Sequence, residues 1–137
     1  MEEPQEAGMS STEGRGETIL FVEDEWMLLE LLKSLFEENG YRIRTAGSGE
    51  EGLEVFARYT TEIDLVLTDM GLPKMGGWDM FQKMLTVNPK IKVILASGYV
   101  DQDLRVEMMQ QGAKDFIQKP YVPATILKRI REVLDAE

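Results

Sequence analysis

The chain predicts an α/β fold of the doubly wound class, a (βα)5 three-layer sandwich with one parallel five-stranded sheet between two layers of helices. Three observations predict it. From Thr18 onward, short apolar runs alternate five times with helical patterns, and no segment repeats another. The runs Ile19-Leu20-Phe21-Val22, Leu65-Val66-Leu67, Ile94-Leu95-Ala96 and Phe116-Ile117 are apolar without alternation, as strands buried on both faces are. Each run stops at polar residues: Glu23-Asp24, Thr68-Asp69, Ser97, and Gln118-Lys119-Pro120.

The elements follow in order. After the first strand, Leu28, Leu31, Leu32, Leu35 and Phe36 recur at helical spacing, and Asn39-Gly40 supplies the stop. Residues 41–45 alternate polar and apolar, as a half-exposed edge strand does. Ser48 is placed to cap a helix carrying Leu53, Val55 and Phe56, with Glu50 and Glu51 in its first turn. Ile63 to Thr68 reads as the third strand. A helix with Met80, Phe81, Met84 and Leu85 runs from beyond Gly76-Gly77 to Asn88-Pro89, and Ile91 to Ala96 reads as the fourth strand. Asp101 is placed to cap a helix that Leu104 and Met108 anchor and Gly112 closes. Lys114 to Gln118 is a short fifth strand. Pro123 opens a last helix whose Ile126, Leu127, Ile130, Val133 and Leu134 share a face. The three most apolar strands belong at the centre. An order of 2-1-3-4-5 satisfies that and keeps each crossover right-handed, although the pattern alone does not fix it.

A chain of 137 residues is long enough for one domain with its own core. Residues 1–17 are rich in Gly, Ser and Glu with little to bury and are expected to form a disordered leader or linker remnant; the domain is expected at 18–137. No apolar stretch approaches a membrane span, and without cysteine there is no disulfide or thiolate metal site, which fits a cytoplasmic setting. The net charge of −10 argues against nucleic acid and acidic membranes as partners. The absence of histidine removes the usual general base and any phosphohistidine relay within the chain.

In sheets of this class, ligands bind outside the carboxyl ends of the strands. Asp24 and Asp69, 45 residues apart, would end adjacent strands there, beside Glu23, Ser97 and Lys119. Crowded carboxylates repel, and a hard divalent cation relieves the conflict. Mg2+ takes one or two carboxylates and accepts phosphate oxygens. One carboxylate then becomes a nucleophile toward phosphorus, as in aspartyl-phosphate enzymes. Mg2+ and Lys119 would neutralise charge, and Ser97 would donate to a phosphoryl oxygen.

Residues 18–135 resemble the receiver domain of two-component response regulators, the chemotaxis-receiver family with a flavodoxin-like fold. The resemblance rests on Leu20-Phe21-Val22-Glu23-Asp24-Glu25, on residues 69–77, on Leu95-Ala96-Ser97-Gly98 and on Phe116-Ile117-Gln118-Lys119-Pro120. It implies Asp69 as phosphoacceptor. It implies Mg2+ held by Asp24, Asp69 and the Gly71 backbone carbonyl, with Glu23 helping to position the ion. Ser97 and Lys119 would contact the phosphoryl group, Ser97 and Phe116 would switch, and Pro120 would follow a cis bond. Several positions depart from the commonest pattern. Glu23 stands for an Asp and Phe116 for the Tyr of chemotaxis-type members. Gly76 stands where Asp is common, and Gly71 and Tyr99 are unusual beside the acceptor and Ser97.

The resemblance implies a phosphoacceptor that takes its phosphoryl group from a histidine kinase or phosphotransfer protein, not an enzyme. A downstream protein would read the face of the fourth helix, fifth strand and fifth helix. The chain would be either a free single-domain regulator or the C-terminal receiver of a hybrid histidine kinase, and no output domain is expected within it. Two alternatives compete: a phosphate-sink receiver without an output, and an aspartate-nucleophile phosphatase or phosphotransferase. Haloacid-dehalogenase-type phosphatases carry a second acid two residues after the nucleophile, where this chain has Gly71. A flavodoxin-like nucleotide binder is disfavoured, because Glu23-Asp24-Glu25 would repel phosphate after the first strand.

Overall fold

A computed structural model describes residues 12–99 and 101–136. Strands β1 (Thr18–Val22), β2 (Arg42–Ala46), β3 (Ile63–Asp69), β4 (Lys92–Ser97) and β5 (Asp115–Gln118) alternate with helices α1 (Trp26–Glu38), α2 (Gly49–Arg58), α3 (Gly77–Val87), α4 (Gln102–Gln110) and α5 (Pro123–Asp135). All pairings are parallel, in the order β2-β1-β3-β4-β5. The expected architecture and strand order are both borne out. Three strands begin one residue later than expected, β2 at Arg42, β4 at Lys92 and β5 at Asp115; Tyr41 and Ile91 are buried just before their ladders start.

Side-chain alternation along the buried strands divides the core in two. Leu20, Val22, Val66, Val93, Leu95 and Phe116 face α2, α3 and α4, meeting Phe56, Met80, Phe81, Met84 and Met108. Ile19, Phe21, Leu65, Leu67, Ile94 and Ile117 face α1 and α5, meeting Leu29, Leu32, Phe36, Ile126 and Ile130. Each such side chain removed from water contributes about 1.5–3 kcal/mol, so this burial is the main force assembling the three layers. The caps behave as expected: Ser48 Oγ accepts from the Glu51 amide at 3.1 Å, and Asp101 Oδ1 from the Asp103 amide at 3.0 Å. The expected anchoring of α4 needs correction. Met108 is its sole buried side chain, whereas Leu104 is 40% exposed, because the short helix turns only one narrow edge to the sheet.

The leader expectation divides into two. Residues 1–11 lie outside the described residues, but residues 13–17 are held against the domain. The Gly14 amide donates to the Asn39 carbonyl at 2.6 Å and the Gly16 amide to the Gly40 carbonyl at 2.9 Å. A Cβ on Gly14 would lie 2.7 Å from the Gly40 backbone, so this crossing requires glycine. Arg131 of α5 completes the anchor. Its guanidinium donates to Glu17 at 2.6 Å, to Asp135 at 2.9 Å and to the Glu13 carbonyl at 3.0 Å. The composition of residues 1–17 hid this, because the partners that hold the segment lie in the turn between α1 and β2 and on α5.

Candidate functional site

The rim is built by strands that stop together. Backbone bonds continue across the strand ends: the Glu23 amide donates to the Ala46 carbonyl at 3.0 Å, the Met70 amide to Ala96 at 2.8 Å, and the Lys119 amide to Ser97 at 2.8 Å. Residues just beyond β1, β3 and β5 are thereby fixed to the ends of their neighbours β2 and β4. Helix α3 starts tightly beneath Asp69. A Cβ on Gly77 would collide with the Asp69 carbonyl oxygen and crowd Met70 Cα at 2.9 Å, so glycine there permits the close approach.

One carboxylate oxygen from each of Glu23, Asp24 and Asp69 lies within 4.8 Å of the others. Lys119 Nζ reaches into this group, 3.2 Å from Asp69 Oδ2 and 3.3 Å from Glu23 Oε1. Glu23 is only 1% exposed and its other oxygen accepts from the Glu25 amide at 3.1 Å. Burial pushes the Glu23 carboxyl above its usual range; the Glu25 amide and Lys119 pull the opposite way without cancelling it. Burial also works against the Lys119 ammonium, but Asp69 and Glu23 outweigh it and raise its pKa. Asp69 is buried, and its Oδ1 accepts from the Gly71 amide at 3.1 Å. Asp24 faces solvent. Gly71 leaves the flank of Asp69 open: an added Cβ would sit 3.8 Å from Oδ1.

These donors fit Mg2+. They are hard oxygen ligands on one side of an open rim, leaving space for the waters that Mg2+ retains. One ammonium already lies among three carboxylates, so the group retains net negative charge for a cation to balance.

Asp24, Asp69, Glu23 and Lys119 therefore come together as read from the sequence. The Lys119-Pro120 bond is cis. Ser97 lies at the rim but engages its own loop: Oγ donates to the Tyr99 carbonyl at 2.7 Å and accepts from the Tyr99 amide at 3.3 Å. Phe116 is already buried, packed with the α2–α4 side of the core. Sequence reasoning missed Tyr121, whose ring centroid lies 5.5 Å from Lys119 Nζ. Its signal was an aromatic residue two places after the rim lysine.

Residues 19–131 match the family model described as the response regulator receiver domain. The chain is 30% identical over 119 residues to the chemotaxis protein CheY of Thermotoga maritima, covering 86% of this chain and 98% of that protein. It is 33% identical to the uncharacterized transcriptional regulatory protein YbdJ of Bacillus subtilis over 88% of this chain, spanning about half of that protein (52%). Among solved structures, a response regulator receiver domain protein from Clostridium thermocellum superposes with a TM-score of 0.82 at 32% identity, over 87% of this chain and 94% of that one. The CheX-CheY-BeF3-Mg+2 complex from Borrelia burgdorferi gives 0.83 at 29% identity, over 88% and 90%.

Proposed function

The chain belongs to the response regulator receiver domain family, and from that premise we propose that Asp69 is the carboxylate that accepts the phosphoryl group. Receiver domains are phosphoaccepting relay modules of two-component signalling rather than turnover enzymes, and this chain is one of them. One observation carries the choice of Asp69: of the two carboxylates paired with Lys119, at 3.2 Å for Asp69 and 3.3 Å for Glu23, the Asp69 side chain is the one an incoming phosphoryl group can reach, 10% exposed against 1%, with oxygens of Glu23 and Asp24 within 4.8 Å of its own.

In this reading an Asp69 oxygen attacks phosphorus, a new P–O bond forms, and the donor's bond to phosphorus breaks. Lys119, already paired with Asp69, stays beside the charge that arrives on the phosphoryl oxygens. Glu23, Asp24, Asp69 and the Gly71 carbonyl would hold Mg2+, which supplies charge neutralisation and alignment of the phosphoryl oxygens when bound. The Borrelia relative crystallised with BeF3 and Mg2+ supports such a centre here. The Ser97 hydroxyl must leave the Tyr99 carbonyl to donate to a phosphoryl oxygen, and Phe116 fills the space that loop movement opens.

Family membership supports a histidine kinase or a phosphotransfer protein as the partner class, and the lack of histidine means the phosphohistidine comes from another chain or domain. Among the described residues no helix is long and apolar enough to cross a membrane. The reading places the receiver in the cytoplasm, where a kinase has access to ATP. It leaves the free regulator and the hybrid-kinase receiver both standing, with the α4-β5-α5 face presented to a downstream protein. The domain would comprise residues 18–137 together with the anchored 13–17.

The test is labelling with Mg2+ and acetyl phosphate. One base-labile, hydroxylamine-labile phosphoryl group per chain is expected, lost in Asp69→Asn. Asp64→Asn is the control, because Asp64 serves β1 by accepting from the Thr18 amide at 2.9 Å. Undiminished labelling of the Asp69 variant would refute the assignment.

A further inference from the structure

The Lys119 ammonium pairs with two carboxylates and also lies over an aromatic ring. Its Nζ stands 5.5 Å from the centroid of Tyr121, inside the range at which a ring face attracts a cation. The ring is braced: Tyr121 meets Phe21 edge to face at 5.9 Å, and Phe21 meets Phe36 in the same manner at 6.1 Å. A column of three aromatic rings thus runs from the α1 side of the core up to the rim. The Tyr121 hydroxyl is buried without a hydrogen-bond partner, so no polar contact accounts for where the ring sits.

We propose that Tyr121 is a positioning residue for phosphotransfer, its ring holding the Lys119 ammonium against Asp69 while leaving it free to turn toward an incoming phosphoryl group. A carboxylate or amide in that place would give Lys119 a directional hydrogen bond to break. A ring face attracts a cation with little directional preference and offers no lone pair for which phosphoryl oxygens must compete. It also covers one side of the ammonium with an apolar surface, where its attraction to the rim carboxylates is least screened. The inference rests on the assignment of Asp69 as acceptor.

The test replaces Tyr121 with phenylalanine and then with phenylalanines of increasing ring fluorination, which drain the ring quadrupole at nearly constant shape. Tyr121→Phe should retain the acetyl phosphate labelling rate, and rates should fall stepwise with fluorination. Loss of the ring in Tyr121→Leu should cost about two- to fivefold. In a Lys119→Met background these differences should vanish; a merely structural ring would cost the same with or without the ammonium. A second measurement needs no phosphorylation. The Lys119 ε-methylene protons should resonate upfield under the ring current, and their carbon should relax as a more mobile group in Tyr121→Leu. Labelling that ignores fluorination, or an unshifted methylene, overturns the role of Tyr121. Loss of labelling from the unaltered chain with the upfield shift intact would instead refute Asp69 as acceptor and leave the placement of Lys119 standing.

Discussion

Replacing Arg131 with methionine should cost the domain about 2 kcal/mol, a value bracketed by what its partners can recover. The guanidinium is 5% exposed, while Glu17 is 20% and Asp135 50% exposed in their side chains. Asp135 can return to water, so that pair alone is worth little. Glu17 and the Glu13 carbonyl recover less, but they do not meet the full penalty of about 3–5 kcal/mol that follows breaking a fully buried pair. For a domain of this size, about 2 kcal/mol corresponds to a melting temperature lower by roughly 8 °C. Urea unfolding at near-neutral pH should show the loss as a shifted midpoint with an unchanged slope. The pH dependence supplies a second check. Burial would raise the Glu17 carboxyl, but hydrogen bonds from Arg131 and the Arg15 amide leave it below its ordinary 4.5. Asp135 is likewise held low, first by its bond to Arg131. Groups with depressed folded-state values contribute stability above their unfolded values and lose it as pH falls through the folded ones. The gap between the two proteins should therefore shrink between neutral pH and about pH 3. A gap below about 0.5 kcal/mol at neutral pH, or one that does not change on acidification, would refute the reasoning.

Mg2+ should raise the melting temperature in proportion to occupancy, and Asp24→Asn should weaken its binding by titration calorimetry more than Glu25→Gln, because Glu25 lies outside the carboxylate cluster. Equal losses would contradict the site. Gly77→Ala should destabilise by about 1–3 kcal/mol in chemical denaturation and slow labelling of Asp69, since the new Cβ meets the Asp69 carbonyl; a neutral substitution would show that α3 can back away without cost. Beryllofluoride should move backbone resonances from Asp69 through Ser97 into α4 and β5, and shifts confined to the neighbours of Asp69 would indicate a phosphate sink.

The sheet and the carboxylate rim were legible because both follow from where buried strands end. Apolar runs located β1, β3 and β4, and the polar residues that close them located Asp24, Asp69 and Ser97 without knowledge of packing. Long-range pairings chosen by geometry were not legible. Arg131 lies among the apolar residues Ile126, Ile130 and Val133, a place that demands buried acids, yet the sequence does not say that Glu17, 114 residues earlier, supplies one. Leu104 misled for the converse reason: helical spacing identifies a face but not whether a short helix turns it toward the sheet. The Ser97 hydroxyl bond to Tyr99 belongs to a loop conformation that periodicity does not encode.

Neighbouring residues of β5 enter opposite compartments: Phe116 packs with α2–α4, and Ile117 with α1 and α5 in the compartment that also holds Tyr121. The sheet is thus a bulkhead between the part of the molecule that can loosen and the part that keeps hold of the lysine. Fluctuations that open α4, with its single buried methionine, can run at low free energy without disturbing the aromatic column under Lys119. Amide exchange would register this as lopsided, fast along α4 and slow along α1, in one cooperative domain. A domain partitioned in this way can open α4 many times over while the carboxylates and lysine of its rim stay in register.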